Sequence, residues 1–185
     1  MLTSIRLQPP TDRVKDAVDL LQDCHGRIRH FTAVAVRLCE VQNPAATEVK
    51  DAAAAVHRYY AVALPLHEED ENLSTYPRLF AAVPEGLLSR ALDDMVGQHA
   101  EIDALVAELL PRWGEVAEQP ERLDELAAEV TPRVRRLQLL WQTHLALEEE
   151  TIFPAMRQFL GADQLAAILH EMKQRRGGSQ PGQTQ

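Results

Sequence analysis

The sequence predicts an all-α protein, an antiparallel up-down four-helix bundle followed by a short extra C-terminal helix. Three observations carry that expectation. Among 185 residues only 8 are Gly, while 11 Pro punctuate long stretches dominated by Ala, Leu, Glu and Arg. Those residues give up little side-chain freedom on entering a helix. Runs of β-branched and aromatic residues alternating at period 2, the mark of strands, are missing. Apolar residues recur instead at spacings of three and four, as on a helix that buries one face.

The helix breakers set the elements. Pro9 and Pro10 precede a first helix, with Thr11 or Asp12 as N-cap, that runs to about Val41 before Asn43 and Pro44 end it. A second runs from about Ala45 to Leu73, and Pro77 opens a short helix from Arg78 to Ala82. A third runs from about Pro84 to at least Leu110, with room to continue past Pro111 and Trp113. A fourth runs from about Pro120 to Thr151, Pro154 opens another short turn, and Asp163 caps a last piece to about Arg176. Pro65 and Pro132 fall inside these helices, where a kink or break is expected. The bundle thus occupies 11–160, the extra helix 161–176, and a flexible Gly/Gln-rich tail 177–185.

Composition narrows the function classes. With 19 Lys and Arg against 28 Asp and Glu, the formal net charge is −9. An acidic surface argues against nucleic acid or an anionic membrane as partner. No apolar run is long enough to span a bilayer, and Met1 to Pro10 lacks the apolar centre of a secretion signal. The 2 cysteines, Cys24 and Cys39, read as reduced thiols of a cytoplasmic protein.

The inner stripes carry the chemistry. On the first helix the stripe is Val18, Leu21, His25, Ile28, Thr32, Ala35 and Cys39; on the second it is Ala53, Val56, Tyr60, Leu64, His67, Glu71 and Ser74. On the third it is Leu88, Leu92, Met95, His99, Ile102, Val106 and Leu109; on the fourth, Val130, Val134, Leu137, Trp141, His144, Glu148 and Thr151. Each stripe holds one His, and on two of them a Glu follows one turn later. A lone core His is ordinarily structural, and its presence decides nothing. A buried carboxylate without a partner, however, costs several kcal/mol or shifts its pKa strongly. No Lys or Arg occupies any stripe, so the cation these two glutamates need is a metal; imidazole nitrogen and carboxylate oxygen together suit Fe, Mn or Zn.

The chain also echoes itself. His67-Glu-Glu-Asp-Glu71 leads to Tyr76-Pro77, and His144-Leu-Ala-Leu-Glu148 leads to Phe153-Pro154. Both read His-x3-Glu, then an aromatic and a Pro, and each follows a helix carrying a lone His, His25 or His99. Two equivalent half-sites facing one another would hold two metals about a pseudo-twofold axis.

In these motifs, over roughly Val14 to Phe159, the chain resembles the hemerythrin-like family of HHE cation-binding domains. The resemblance implies a hemerythrin-like bundle with a non-haem centre of two Fe ions, bridged by carboxylate and by oxo or hydroxo groups, where O2, NO or peroxide binds. It implies His25, His67, Glu71, His99, His144 and Glu148 as ligands, the two glutamates as bridges. Oxygen carriers of the family have a fifth His one turn beyond the third-helix His, where this chain has Asp103. Fewer imidazoles leave more open positions, which favours reaction with peroxide or NO over reversible O2 transport. Pro65, two residues before His67, is the second departure.

The expected function is a cytoplasmic di-iron protein that binds or senses small oxidants, more a metal- and oxygen-binding protein than a dedicated enzyme. The alternative is a di-metal oxidase, peroxidase-like or NO-handling enzyme; ferritin-like oxidases use Glu-x2-His, in the opposite order. A metal-free helical adaptor would leave Glu71 and Glu148 unexplained. Trp141, Leu137, Met95 and Leu64 are expected to wall the pocket. Tyr60 reads either as core with a satisfied hydroxyl or as a group near the metals. Asp103 and Glu68 read as solvated or outlying carboxylates, His30, His57 and His170 as surface residues, and Glu149 and Glu150 as outward charges. The last helix, through Leu165, Ile168, Leu169 and Met172, either packs back on the bundle or docks a protein partner.

Overall fold

The structure is a computed structural model that describes residues 15–177, all-helical among those residues and without strands. Its helices are α1 (Ala17–Glu40), α2 (Ala46–Arg58), α3 (Leu64–Glu69), α4 (Tyr76–Ala82), α5 (Ser89–Glu118), α6 (Leu123–Leu147), α7 (Phe153–Phe159) and α8 (Ala162–Gly177). α1 packs against α2 and α6, and α5 packs against the same two, so the long helices close a ring around a shared core. Thr11 and Asp12, the expected N-caps, lie outside the described residues, as does the expected tail beyond Gly177. The cap observed is Asp16, whose side chain accepts from the Asp19 N–H at 2.9 Å while Asp19 accepts from the Asp16 N–H at 2.9 Å. That reciprocal box satisfies two backbone donors that a helix start otherwise leaves open.

The second helix does not stop at Leu73. Helical backbone continues from Ala46 to Ala82 by way of two π-helical segments, Tyr59–Ala63 and Asp70–Thr75. A third, Glu148–Ile152, joins α6 to α7. Each π segment comes just before a proline, Pro65, Pro77 or Pro154. Proline cannot donate to the preceding turn and its ring crowds that turn's carbonyl. Widening the turn by one residue relieves both problems, so Pro65 deforms the helix without breaking it. Pro111 and Pro132 behave differently: α5 and α6 run through them as α-helix. Both prolines are exposed, so the carbonyl each deprives lies on a wet face where water can serve it. The third helix begins at Ser89 rather than at Pro84, because the chain turns at Gly86, whose φ of 81° favours glycine.

Most stripe residues are buried as expected; Cys39, Val106 and Thr151 are only half-buried. The core falls into two apolar clusters. One gathers Ile28, Val56, Tyr60, Leu64, Ile102, Trp113, Leu137 and Trp141; the other gathers Leu21, Leu79, Met95, Ile152, Phe153, Met156, Ile168 and Met172. On every long helix the polar ligand-type residues lie between the two. The last helix packs back: α8 contacts α1 and the Asp70–Thr75 segment, burying Ile168 and Met172 completely. Each such side chain contributes roughly 1.5–3 kcal/mol.

α5 also offers a packing test. A Cβ on Gly97 would meet nothing, whereas one on Gly114 would lie 3.4 Å from the His57 ring. Gly97→Ala is expected to raise stability by about 0.5–1 kcal/mol. Gly114→Ala should gain less, and urea denaturation of the two variants checks the difference.

Candidate metal centre

All six sequence-predicted ligands meet in the layer between the two cores, and all are buried. His25, His67, Glu71 and Glu148 each offer a ligand atom within 4.8 Å of the others, as do Glu71, His99 and His144. Glu71 is common to both groups. Its Oε1 lies 3.1 Å from His67 Nε2 and its Oε2 3.4 Å from His99 Nε2. Glu148 Oε2 lies 2.9 Å from His25 Nε2 and 3.6 Å from His144 Nε2. His99 Nε2 and His144 Nε2 are 3.0 Å apart. The pairing therefore differs from two equivalent half-sites. Glu148 sits closer to His25, across the bundle, than to the His of its own helix.

The π segments explain why the sequence echo ends in an aromatic and a proline. The Tyr76 N–H donates to the Glu71 carbonyl, and the Phe153 N–H to the Glu148 carbonyl, each reaching back five residues. A five-residue reach puts the aromatic on the same face as the glutamate before it. Tyr76 then donates its hydroxyl to Glu148 Oε1 at 2.8 Å. Phe153, at the matching place, lays its ring against His25 with centroids 4.9 Å apart.

Most of the atoms that face the middle of the layer lack hydrogen bonds. Among the described residues His25 Nε2, His67 Nε2, both oxygens of Glu71 and Glu148 Oε2 are buried and unpaired. Metal–ligand bonds of roughly 2.0–2.2 Å place neighbouring ligand atoms about 2.9–3.6 Å apart for octahedral to tetrahedral geometry, and the separations above fall in that range. Donor set, burial and spacing thus fit a cation.

Electrostatics agree. Burial lowers His67 to about 3 and His144 to about 4, even though Glu148 pulls both upward; burial lowers His99 as well. These three imidazoles are therefore neutral at neutral pH, the form that binds metal. Burial, then the charge of Glu148, raises the Glu71 carboxyl well above its ordinary range. Burial would raise Glu148 too, but the close approach of His25, at 2.9 Å, and the imidazole of His144 outweigh it and hold that carboxyl low.

The residues behind the ligands were not legible in sequence. His25 Nδ1 meets Glu149 Oε1 at 2.8 Å, and Arg29 grips both oxygens of Glu149, each at 2.8 Å. Glu149 is thus no simple outward charge, although Glu150 is exposed as expected. His144 Nδ1 meets Gln98 Oε1 at 3.1 Å. The only sequence signal was adjacency: Glu149 follows Glu148, and Gln98 precedes His99.

Other candidates sort plainly. Tyr60 is core, its hydroxyl 2.7 Å from Thr32 Oγ1. Asp103 is exposed and faces Glu68, whose carboxyl is pushed up to about 8 by burial and then by Asp103. His30 and His170 are exposed and His57 half-buried; none belongs to either group. Leu64, Met95, Leu137 and Trp141 are buried as expected, and the Trp141 ring stands edge-on to His144 at 5.6 Å. A cleft of about 210 Å³, lined by Arg29, Thr32, Gln138, Trp141 and Gln142 among others, opens beside it.

Fold and site define a helical protein with a buried His/Glu cluster able to hold metal. A model of the Hemerythrin HHE cation binding domain matches residues 16–156, and the chain belongs to that family. It is also 26% identical over 165 residues to an uncharacterized protein of Haemophilus influenzae, covering 87% of this chain and 90% of that protein. No helix among the described residues is long and apolar enough to cross a membrane.

Tyr76→Phe removes one hydroxyl from the site. It strands Glu148 Oε1 in the core, and a lost buried partner costs about 1–3 kcal/mol. Chemical denaturation of the metal-free variant is expected to show that loss.

Proposed function

We propose that this chain is a di-iron protein that binds or senses O2, NO or peroxide from within an antiparallel up-down four-helix bundle. In this reading His25, His67, Glu71, His99, His144 and Glu148 would hold the metals, Glu71 being within reach of both groups. The observation that carries it is the convergence of unpaired, buried lone pairs from three His/Glu-bearing helical segments on one layer. Among the described residues no Lys or Arg is buried to neutralise them. Iron at such a position supplies redox chemistry with small oxidants; the protein's part is to keep the imidazoles neutral, the glutamates aimed and bulk water out. The ring of helix contacts supports the bundle topology, and the cleft beside Trp141 suits entry of a diatomic or peroxide-sized ligand. The free thiols Cys24 and Cys39 suit the reducing cytoplasm.

Elemental analysis and the visible spectrum of protein purified without chelator test this reading. About two irons per chain are expected, with near-ultraviolet absorption that changes on exposure to O2, NO or peroxide. Stoichiometric zinc would remove the oxidant chemistry, and a folded protein that refuses added iron would overturn the site. Chelation should lower the melting temperature, because a metal that binds only the folded state stabilises it.

Metal uptake should also be pH-dependent. Burial, then the charge of Glu148, raises Glu71 well above its usual range in the metal-free protein, so it keeps to higher pH than an ordinary carboxylate a proton that a metal must displace. Higher pH therefore favours binding. Below the metal-free pKa of Glu71, each unit of pH should raise the association constant by up to about tenfold. Calorimetry below that pKa, in two buffers of different ionisation enthalpy, is expected to show proton release on metal binding.

A further inference from the structure

The two metal positions draw on the same residue types, yet what stands behind them differs. His25 leans on a carboxylate. Glu149 Oε1 lies 2.8 Å from its Nδ1, and Arg29, one turn further along α1, fixes Glu149 with a two-pronged grip. His144 leans on a neutral amide, Gln98 Oε1, at the longer distance of 3.1 Å. A carboxylate accepting from the distal N–H makes an imidazole a stronger donor to metal and locks its tautomer and orientation. An amide oxygen, with only partial charge, does less.

A second asymmetry points the same way. Glu148 Oε2 sits 2.9 Å from His25 but 3.6 Å from His144. The position beside His25 and His67 thus has both glutamates within ligand range, whereas the grouping around His99 and His144 contains Glu71 alone. Tyr76 reinforces the bias, because it holds Glu148 Oε1 and leaves Oε2 as the oxygen free to face metal. Phe153, its counterpart in the echo, has no hydroxyl to do the same for Glu71.

We infer that the two metal positions load in order, the His25–His67 position first and more tightly, and that Glu149 is the positioning residue that sets the difference. The inference rests on the six residues being metal ligands. Glu149 acts through His25 and touches no other candidate ligand in the contacts described above.

The test titrates metal-free full-length protein with Co²⁺, as a spectroscopic stand-in for Fe²⁺, by calorimetry and visible absorption. Two resolved steps are expected, separated by about tenfold or more. Glu149→Gln should weaken the first step by roughly 10–100-fold and leave the second in place, so that the steps merge. Gln98→Glu, which gives His144 the backing that His25 has, should tighten the second step and change its absorption bands. A merely structural role for Glu149 would instead lower the melting temperature of the metal-free protein and weaken both steps together. Two equal sites in the unaltered protein, or a Glu149→Gln effect confined to the second step, would overturn the ordering while leaving a two-metal site intact. A Gln98→Glu variant that folds and binds as the parent does would overturn it as well. Failure of the unaltered protein to take up any Co²⁺ would sink the ligand assignment and the ordering with it.

Discussion

Two carboxylates and four imidazoles lie in one layer across the middle of the core, and the rest of the structure answers to that burial. Each glutamate would cost several kcal/mol if left charged and unpaired in apolar surroundings. Apolar clusters above and below the layer keep water away, which raises that cost and equally strengthens any interaction that offsets it. The layer is therefore tolerable only as a set. Burial keeps His67, His99 and His144 neutral beside two carboxylates that repel one another, and this is an arrangement that invites a cation.

Holding those atoms in place has shaped the backbone. The prolines that follow each His-x3-Glu force a π-helical segment beginning at or just before the glutamate. π turns are uncommon and occur often at functional sites. Here the deformation sends the next aromatic back over the ligand layer, where Tyr76 reaches Glu148 and Phe153 covers His25. α8 braces one of these segments from outside. Arg175 and Arg176 bind the buried Asp70, next to Glu71, while Glu171 joins Ser74 and Arg78. The extra helix thus braces the turn that carries Glu71 as well as capping one apolar cluster.

Family membership explains the scaffold, and the site residues explain what the scaffold can do; the two are separate steps, because one fold supports several chemistries. The specific character of this chain lies in how its halves have diverged. Tyr76 stands opposite Phe153, Glu149 backs one histidine where Gln98 backs another, and a third π segment before Pro65 has no counterpart on α6. A pseudo-symmetric frame thus carries two groups of His and Glu with unequal surroundings.

The all-helical class, the order of the elements and the six residues of the layer were legible in the sequence. Burial stripes at helical period and a carboxylate one turn after a histidine are local patterns, set by 3.6 residues per turn. Tertiary structure alone decided which groups face one another across the bundle. It set Glu148 nearer His25 than His144, made Glu149 a partner of His25 and joined Gln98 to His144. These contacts span separations of 46 to 124 residues. No periodicity along one helix encodes them, since they depend on how deeply and at what rotation separate helices come to rest against each other.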